Sequence, residues 1–348
     1  MKSVDIFCRV VDNYGDIGVC WRLARQFADE YAMSARLIVD DLGAFRFIAP
    51  EVNVDLETQS LARITIVQWG ASTTLQPASI VIEAFACDPP QTYVNAMAAM
   101  PRKPTWINLE YLSAESWVDG VHGLPSPHPR LPLTKYFFCP GFSAASGGLI
   151  RERSVDQSSL PLVLSPEHDD GSKREPTTLF AFTYPHAPVR AVATALDAQV
   201  TYASPLTDTD KTWLKSETVP QPEFDALLAG FDVLIVRGED SFVRAQYAGT
   251  PMLWHIYPTA DNAHLVKLDA WLDHYCASLD ASVATAIRSA HHAFNRGVSG
   301  PDTYAAFAAN LPVIASHAKR WREHLCAQPD LVTRLLTFIS LKEKQKVG

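Results

Sequence analysis

Short apolar runs recur along this chain with helical or turn sequence between them, and their spacing restricts the fold more than any other feature. Residues 4–11, 35–39, 64–67, 80–82 and 105–109 form a first series. Residues 179–183, 199–202, 218–219, 233–236 and 251–254 form a second. Runs of this length, with room for a crossover helix between them, predict parallel sheets covered by helices. Residues 165–176 lose all apolar periodicity and read as a linker or exposed loop, and from about Asn262 the pattern is helical almost to the end. The expected organisation is an α/β chain of two similar domains facing each other across a cleft. They span residues 1–150 and 178–328, joined by a linker at 151–177, with a helical tail at 329–348 returning to the first.

In an open parallel sheet the ligand sits outside the carboxyl ends of the strands, so the loops there carry the functional information. The run 233–236 empties into Arg237-Gly238-Glu239-Asp240-Ser241-Phe242-Val243-Arg244-Ala245-Gln246, with four ionised groups in ten residues. Ser241 is placed to cap a helix through Ala248, with Gly249 at its end. The helix start would aim N–H groups and partial positive charge at the loop, which suits a phosphate; a surface ion-pair cluster on a solvated turn is the alternative. The first run leads into Asp12-Asn13-Tyr14-Gly15-Asp16-Ile17-Gly18, followed by a helix whose Val19, Leu23, Phe27 and Tyr31 recur every four residues. The spacing of Gly15 and Gly18 is not a dinucleotide fingerprint, and the carboxylates would repel a pyrophosphate. That loop suits a cation or a proton; Asp12 and Asp16 also fit a turn former and a helix N-cap.

Composition removes several function classes. With 30 basic against 38 acidic residues and a net charge of -8, nucleic acid is not an expected partner. No apolar window is long enough for a membrane span, and the charged start lacks a signal-peptide core, so a cytoplasmic location and no membrane partner are expected. The six cysteines include no C-x-x-C pair and read as reduced core thiols. His255, His264 and Asp261 fit no zinc spacing, so no metal site is expected. His291 and His292 read as surface residues, and Ser126-Pro127-His128-Pro129 as a stiff loop or a groove wall.

Several strings together resemble the protein-arginine rhamnosyltransferases that modify translation elongation factor P, a family with the GT-B fold of two Rossmann-like domains. They are Asp12-Asn13-Tyr14-Gly15-Asp16-Ile17-Gly18-Val19 with Trp21-Arg22-Leu23-Ala24-Arg25, Asn108-Leu109-Glu110-Tyr111-Leu112-Ser113-Ala114-Glu115, Leu124-Pro125-Ser126-Pro127-His128-Pro129, Lys135-Tyr136-Phe137-Phe138, Pro140-Gly141-Phe142, the 237–246 loop and Trp254-His255-Ile256-Tyr257-Pro258. The resemblance implies an inverting, metal-independent transfer of L-rhamnose from dTDP-β-L-rhamnose to one arginine of elongation factor P, with no cofactor. It places an essential carboxylate pair on Asp12 and Asp16 and an essential glutamate on Glu239. It implies a nucleotide pocket of Phe182, Tyr184, Phe224 and Gln221, with Asp240 and Ser241 as diphosphate or ribose contacts. Phe180 lies in the adjacent register, so Phe180 with Phe182 is a second available aromatic pair. Asn13, Tyr14, Glu110 and Tyr111 are the acceptor-side candidates, the last two also compatible with structural roles. Another GT-B sugar-nucleotide enzyme, an epimerase among them, or a non-catalytic GT-B-like binding module are the alternatives.

The chemistry asks for these residue types. A guanidinium is cationic with delocalised lone pairs and is a poor nucleophile as it stands. Two carboxylates supply both needs, one orienting the cation by charge-assisted hydrogen bonds (Asp12) and one accepting the proton as the N–C bond forms (Asp16). On the donor side, helix N–H groups with Arg237 or Arg244 suit the charge that develops on the leaving diphosphate.

Overall fold

The computed structural model describes residues 2–11, 14–157, 176–203, 206, 209–216 and 221–345. The chain divides into two units, Met1–Arg153 with Gln328–Gly348, and Ser154–Ala327. The strand expected at 218–219, most of the linker, and both Asp12 and Asn13 lie outside the described residues.

Among its described residues the first unit holds eight strands, β1 (Ser3–Cys8), β2 (Ser34–Val39), β3 (Thr58–Leu61), β4 (Ile64–Gln68), β5 (Ile80–Ala84), β6 (Thr105–Leu109), β7 (Pro125–Pro127) and β8 (Thr134–Phe138), in the order β3-β4-β2-β1-β5-β6-β8-β7. The six inner strands are parallel, and β3 and β7 pair antiparallel at the two edges. Central strands of this kind are covered on both faces, which is why Ile6, Phe7, Leu37, Ile38, Val81, Ile82 and Ile107 are all buried. Because the chain steps outward from β1 through β2 to β4 and then returns to β5, the β1/β5 boundary is a topological switch point.

Several expectations change here. β1 ends at Cys8, not at residue 11, because its ladder to β5 ends at Phe7 and its ladder to β2 at Cys8, and Val11 is exposed. The Pro125–Pro127 segment is an edge strand paired with β8; edges tolerate proline because one side of the strand needs no ladder donor. In the helix Gly15–Tyr31 the buried stripe runs through Ile17, Cys20, Leu23, Ala24, Phe27 and Ala28, while Val19 and Tyr31 are only half-buried. The helix buries polar residues as well, since the C-terminal segment packs on it. Arg22 forms a two-pronged ion pair with Glu152 (2.7 and 2.6 Å), Gln26 donates to the Arg151 carbonyl and to Asp330, and Tyr31 bonds Thr333. Arg334, on the helix Leu331–Gln345, donates to the carbonyls of Ser143, Ala144 and Ser146.

In the second unit β9 (Thr177–Ala181), β10 (Ala198–Tyr202), β11 (Leu214–Lys215), β12 (Val233–Arg237) and β13 (Met252–His255) form a parallel sheet in the order β11-β10-β9-β12-β13. Its switch point is the β9/β12 boundary. Helix packing on this sheet is aromatic: Phe242 stacks on Trp254 at 3.7 Å and meets Trp271 edge-on. The buried Gln246 accepts from the indole N–H groups of both Trp271 (3.1 Å) and Trp321 (2.8 Å). His291 is a core residue, contrary to the surface expectation. It is fully buried on the helix Ala281–Asn295, bonds the Ile287 carbonyl and packs against Trp271, while His292 reaches Asp269.

Candidate active site

Each switch point gathers residues singled out in the sequence. In the first unit the helix Gly15–Tyr31 begins within seven residues of the end of β1. Tyr14 stands at its N-cap, its carbonyl accepting from Gly18 N–H and its ring tilted against Phe47 at 5.1 Å. Asp16, in the first turn, is 2% exposed and accepts the Val11 N–H at 2.8 Å. The carboxylate thereby ties the first turn of the helix back to Val11. Below it lie Cys8 and Cys20; their mutual hydrogen bond and burial push the Cys8 thiol well up, with the Asp16 charge adding to the effect.

Beside this loop, β5 and β6 end in a second cluster. Phe85, Ala86 and Asp88 all take positive φ, so the chain turns sharply past β5. Phe85 stacks on Tyr111 with ring centroids 4.2 Å apart, and Tyr111 is exposed. The side-chain oxygen of Asn108 accepts from Ala86 N–H while its amide donates to Glu110. Burial raises the Glu110 pKa, opposed by the bond from Asn108 and the charge of Lys135. Lys135 pairs with the fully buried Glu83 at 2.5 Å. Glu83, Phe85 and Lys135 were not among the residues expected here. A polar signal was nevertheless present, because Glu83 and Asn108 interrupt central strands that are otherwise apolar.

In the second unit, Phe182 and Tyr184 lie just past the end of β9 and not within it; Phe182 N–H still bonds Ile235 of β12. At the end of β12 the Arg237 guanidinium lies over both rings, 4.6 Å from the Phe182 centroid and 4.9 Å from that of Tyr184. Phe224, on the helix Gln221–Ala229, meets Phe182 edge-on at 6.1 Å. Phe180 belongs to the core, fully buried against Phe231. The two registers therefore separate, one inside the sheet packing and one at its carboxyl end. Behind Tyr184, His255 accepts the Tyr184 N–H through Nδ1 at 3.3 Å. Its pKa is lowered to about 4, by burial first and then by the charges of Arg237 and His264. His264 itself accepts from Thr259 N–H.

The 237–246 segment turns at Gly238, whose φ of 64° suits glycine and whose carbonyl accepts from the Trp254 indole. The helix runs Asp240–Ala248 with Glu239 at its N-cap, and Gly249 takes the left-handed C-cap. Ser241 therefore sits inside the first turn and is not the cap. The Glu239 side chain makes no cap bond and pairs instead with Lys267, on the helix Ala263–Tyr275, a partner the sequence did not suggest. Gln221 donates to Asp240 at 3.2 Å. Arg244 is 4% exposed and braced by Asp240 (3.1 Å) and Asp225 (2.7 Å). Its charge is thus committed inside the protein, whereas Arg237 lies on the aromatic slot.

The family described as Elongation-Factor P (EF-P) rhamnosyltransferase EarP matches residues 4–202 and 173–340. The chain belongs to this family. It is 41% identical to the protein-arginine rhamnosyltransferase of Pseudomonas putida, over 97% of this chain and 99% of that one. Identity to the enzyme of the same name from Neisseria meningitidis is 32%, over 97% of each chain. Among solved structures, that described as "Structural basis for EarP-mediated arginine glycosylation of translation elongation factor EF-P" matches with a TM-score of 0.61 at 28% identity, over 97% of this chain and 98% of that one. The spinosyn rhamnosyltransferase SpnG matches with a TM-score of 0.54 at 13% identity, over 97% and 99%, a likeness of fold. The fold of this EarP-family chain is GT-B, with one Rossmann-like sheet in each unit. Among the described residues no helix is long and apolar enough to cross a membrane.

Proposed function

We propose that the protein transfers L-rhamnose from dTDP-β-L-rhamnose to an arginine side chain of elongation factor P, in the cytoplasm, with inversion at the anomeric carbon. Family membership over nearly the whole chain supports the rhamnosyl transfer. The observation that carries the donor assignment is the Arg237 guanidinium lying over Phe182 and Tyr184 at the switch point of the second sheet. The thymine stacks against these rings and Phe224, an interaction that contributes about 1–3 kcal/mol. The diphosphate lies toward Arg237, Ser241 and the start of the helix Asp240–Ala248, which complement its charge without a metal. Gln221 and Asp240 face the ribose. Arg244, held by Asp225 and Asp240, positions Asp240 and does not touch the donor.

On the first unit the acceptor guanidinium is held by Asp12 and Asp16, with Asn13, Tyr14, Glu110 and Tyr111 around it. Asp16 is fixed by the Val11 N–H, so its proton-accepting oxygen is pre-oriented. As the arginine nitrogen attacks the anomeric carbon from the face opposite the diphosphate, the N–C bond forms, the C–O bond to dTDP breaks, and the proton passes to Asp16. That proton becomes far more acidic once the nitrogen is bonded to the sugar, so attack need not wait for it to leave.

The test is the intact mass of elongation factor P after incubation with the protein and dTDP-L-rhamnose, beside Asp16→Asn. A gain of one deoxyhexose on a single arginine, absent with the variant, is expected. Bound dTDP without any mass gain would overturn the acceptor assignment, and absence of dTDP binding would overturn the donor assignment.

A further inference from the structure

Glu239 presents an electrostatic difficulty. It is a carboxylate at the N-cap of the helix on which the proposed diphosphate lies, and an anion there repels the donor and competes with it for the helix N–H groups. Both effects are removed by one contact. The Glu239 side chain does not cap its own helix and is joined to the ammonium of Lys267, both side chains about one-fifth exposed (20% and 22%). Lys267 reaches it from a separate helix, Ala263–Tyr275, whose start is fixed by an independent set of bonds. Asp261 accepts from Ala263 N–H, Thr259 Oγ1 accepts from His264 N–H, and His264 Nδ1 accepts from Thr259 N–H. The lysine is therefore carried on a braced element, one turn in from its start.

From this geometry we infer that Lys267 is a positioning residue for donor binding: it holds the Glu239 carboxylate off the start of the helix Asp240–Ala248 and cancels its charge there, so that a nucleoside diphosphate can occupy that end. The inference rests on the proposed donor site. It differs from a stabilising surface ion pair in what it predicts, since an exposed pair contributes little to stability whereas this one controls anion affinity at a neighbouring point.

The experiment measures dTDP affinity by calorimetry for the parent, Lys267→Met, Lys267→Arg, Glu239→Gln and the double variant Glu239→Gln/Lys267→Met, with dTDP-rhamnose KM and kcat for the first three. Lys267→Met is expected to weaken dTDP about tenfold and to raise donor KM more than it lowers kcat, and Lys267→Arg is expected to restore most of the loss. Because the lysine acts through the carboxylate, the double variant should bind dTDP within about threefold of Glu239→Gln alone, a coupling that the cycle isolates. Parent-like affinity in Lys267→Met would overturn the inference, as would a double variant no tighter than Lys267→Met, which would mean that the lysine touches the diphosphate itself. A parent protein that bound no dTDP would overturn the donor assignment together with this inference. Parent binding with unchanged Lys267→Met would overturn the inference alone.

Discussion

The loop after β1 and the loop after β12 occupy corresponding places, each running from a central strand at a switch point into a helix. In the first, the acidic residue of the opening turn folds back on its own loop, Asp16 accepting the Val11 N–H. In the second, the two acidic residues at the helix start are paired, Glu239 with Lys267 and Asp240 with Arg244, and Arg237 lies over two aromatic rings. On the proposed assignment, one backbone arrangement serves opposite charge requirements. On the same assignment, a carboxylate bonded back to its own segment suits a cationic acceptor, and a helix start whose Glu239 and Asp240 are paired with Lys267 and Arg244 suits an anionic donor. The side chains, and not the strand–loop–helix geometry, divide the labour.

If that division is right, damage to one loop should leave the other's ligand untouched. Asp16→Asn is expected to have the largest effect, lowering turnover about a thousandfold, within the range for loss of a general base. Its dTDP affinity should equal that of the parent, and a parallel fall in affinity measured by calorimetry would break the comparison. Next comes Arg237→Ala, which removes a charged contact worth about 1.5–3 kcal/mol and should weaken dTDP roughly 10- to 100-fold. Binding of elongation factor P without donor, followed by surface-immobilised titration, should not change.

A third prediction compares stability in acid. Burial lowers both His255 and His291 to about 4, with Arg237 and His264 adding to the first effect, while the Ile287 carbonyl opposes the second. In the unfolded chain these rings take up protons near the ordinary 6.5, so below that pH the unfolded state binds more protons than the folded one. Stability is therefore lost as pH falls from about 6.5 toward 4, by at most roughly 3 kcal/mol for each group. In the first unit, burial raises Glu83 and Glu110. Those groups bind protons more readily when folded and so act in the other direction. Hydrogen exchange followed by mass spectrometry between pH 7 and 4.5 should show the second unit losing protection first, and simultaneous loss in both would remove this distinction.

The smallest effect concerns Ser241. Because it lies within the first turn and does not cap the helix, Ser241→Ala should change the melting free energy by under about 0.5 kcal/mol, against about 1 kcal/mol for loss of a cap. A threefold or smaller loss of dTDP affinity is expected beside it.

The parallel strands were legible because buried central strands must be apolar on both faces. β6 and the inner parts of β2, β4, β5 and β12 coincide with runs visible in the sequence. The edges were not. β3 and β4 are joined by Ala62 and Arg63, both at positive φ, a two-residue hairpin built without the asparagine or glycine that announces one. β7 is a Pro-Ser-Pro segment that reads as loop until β8 lies beside it. His291 looked exposed because it stands next to His292 and Arg288 in a polar stretch, and only the packing of Trp271 against it reveals a buried ring.

For the candidate site, chain order singled out the loops that hold Asp16, Arg237 and Glu239, since each follows an apolar run, whereas Phe182 and Tyr184 were marked only by the family resemblance. Side-chain partnership was beyond it. Lys267 and Glu239 are 28 positions apart and Lys135 and Glu83 are 52 apart, and no periodicity links them. Sequence by itself determined where the central strands lie and which loops bear charge, because local hydrophobicity and turn chemistry act over neighbouring residues. The tertiary structure decided which of those charges are committed and to what, Arg244 to two carboxylates, Arg237 to two rings and Glu239 to a lysine. Such pairings depend on distances that close only when separate helices pack on one sheet.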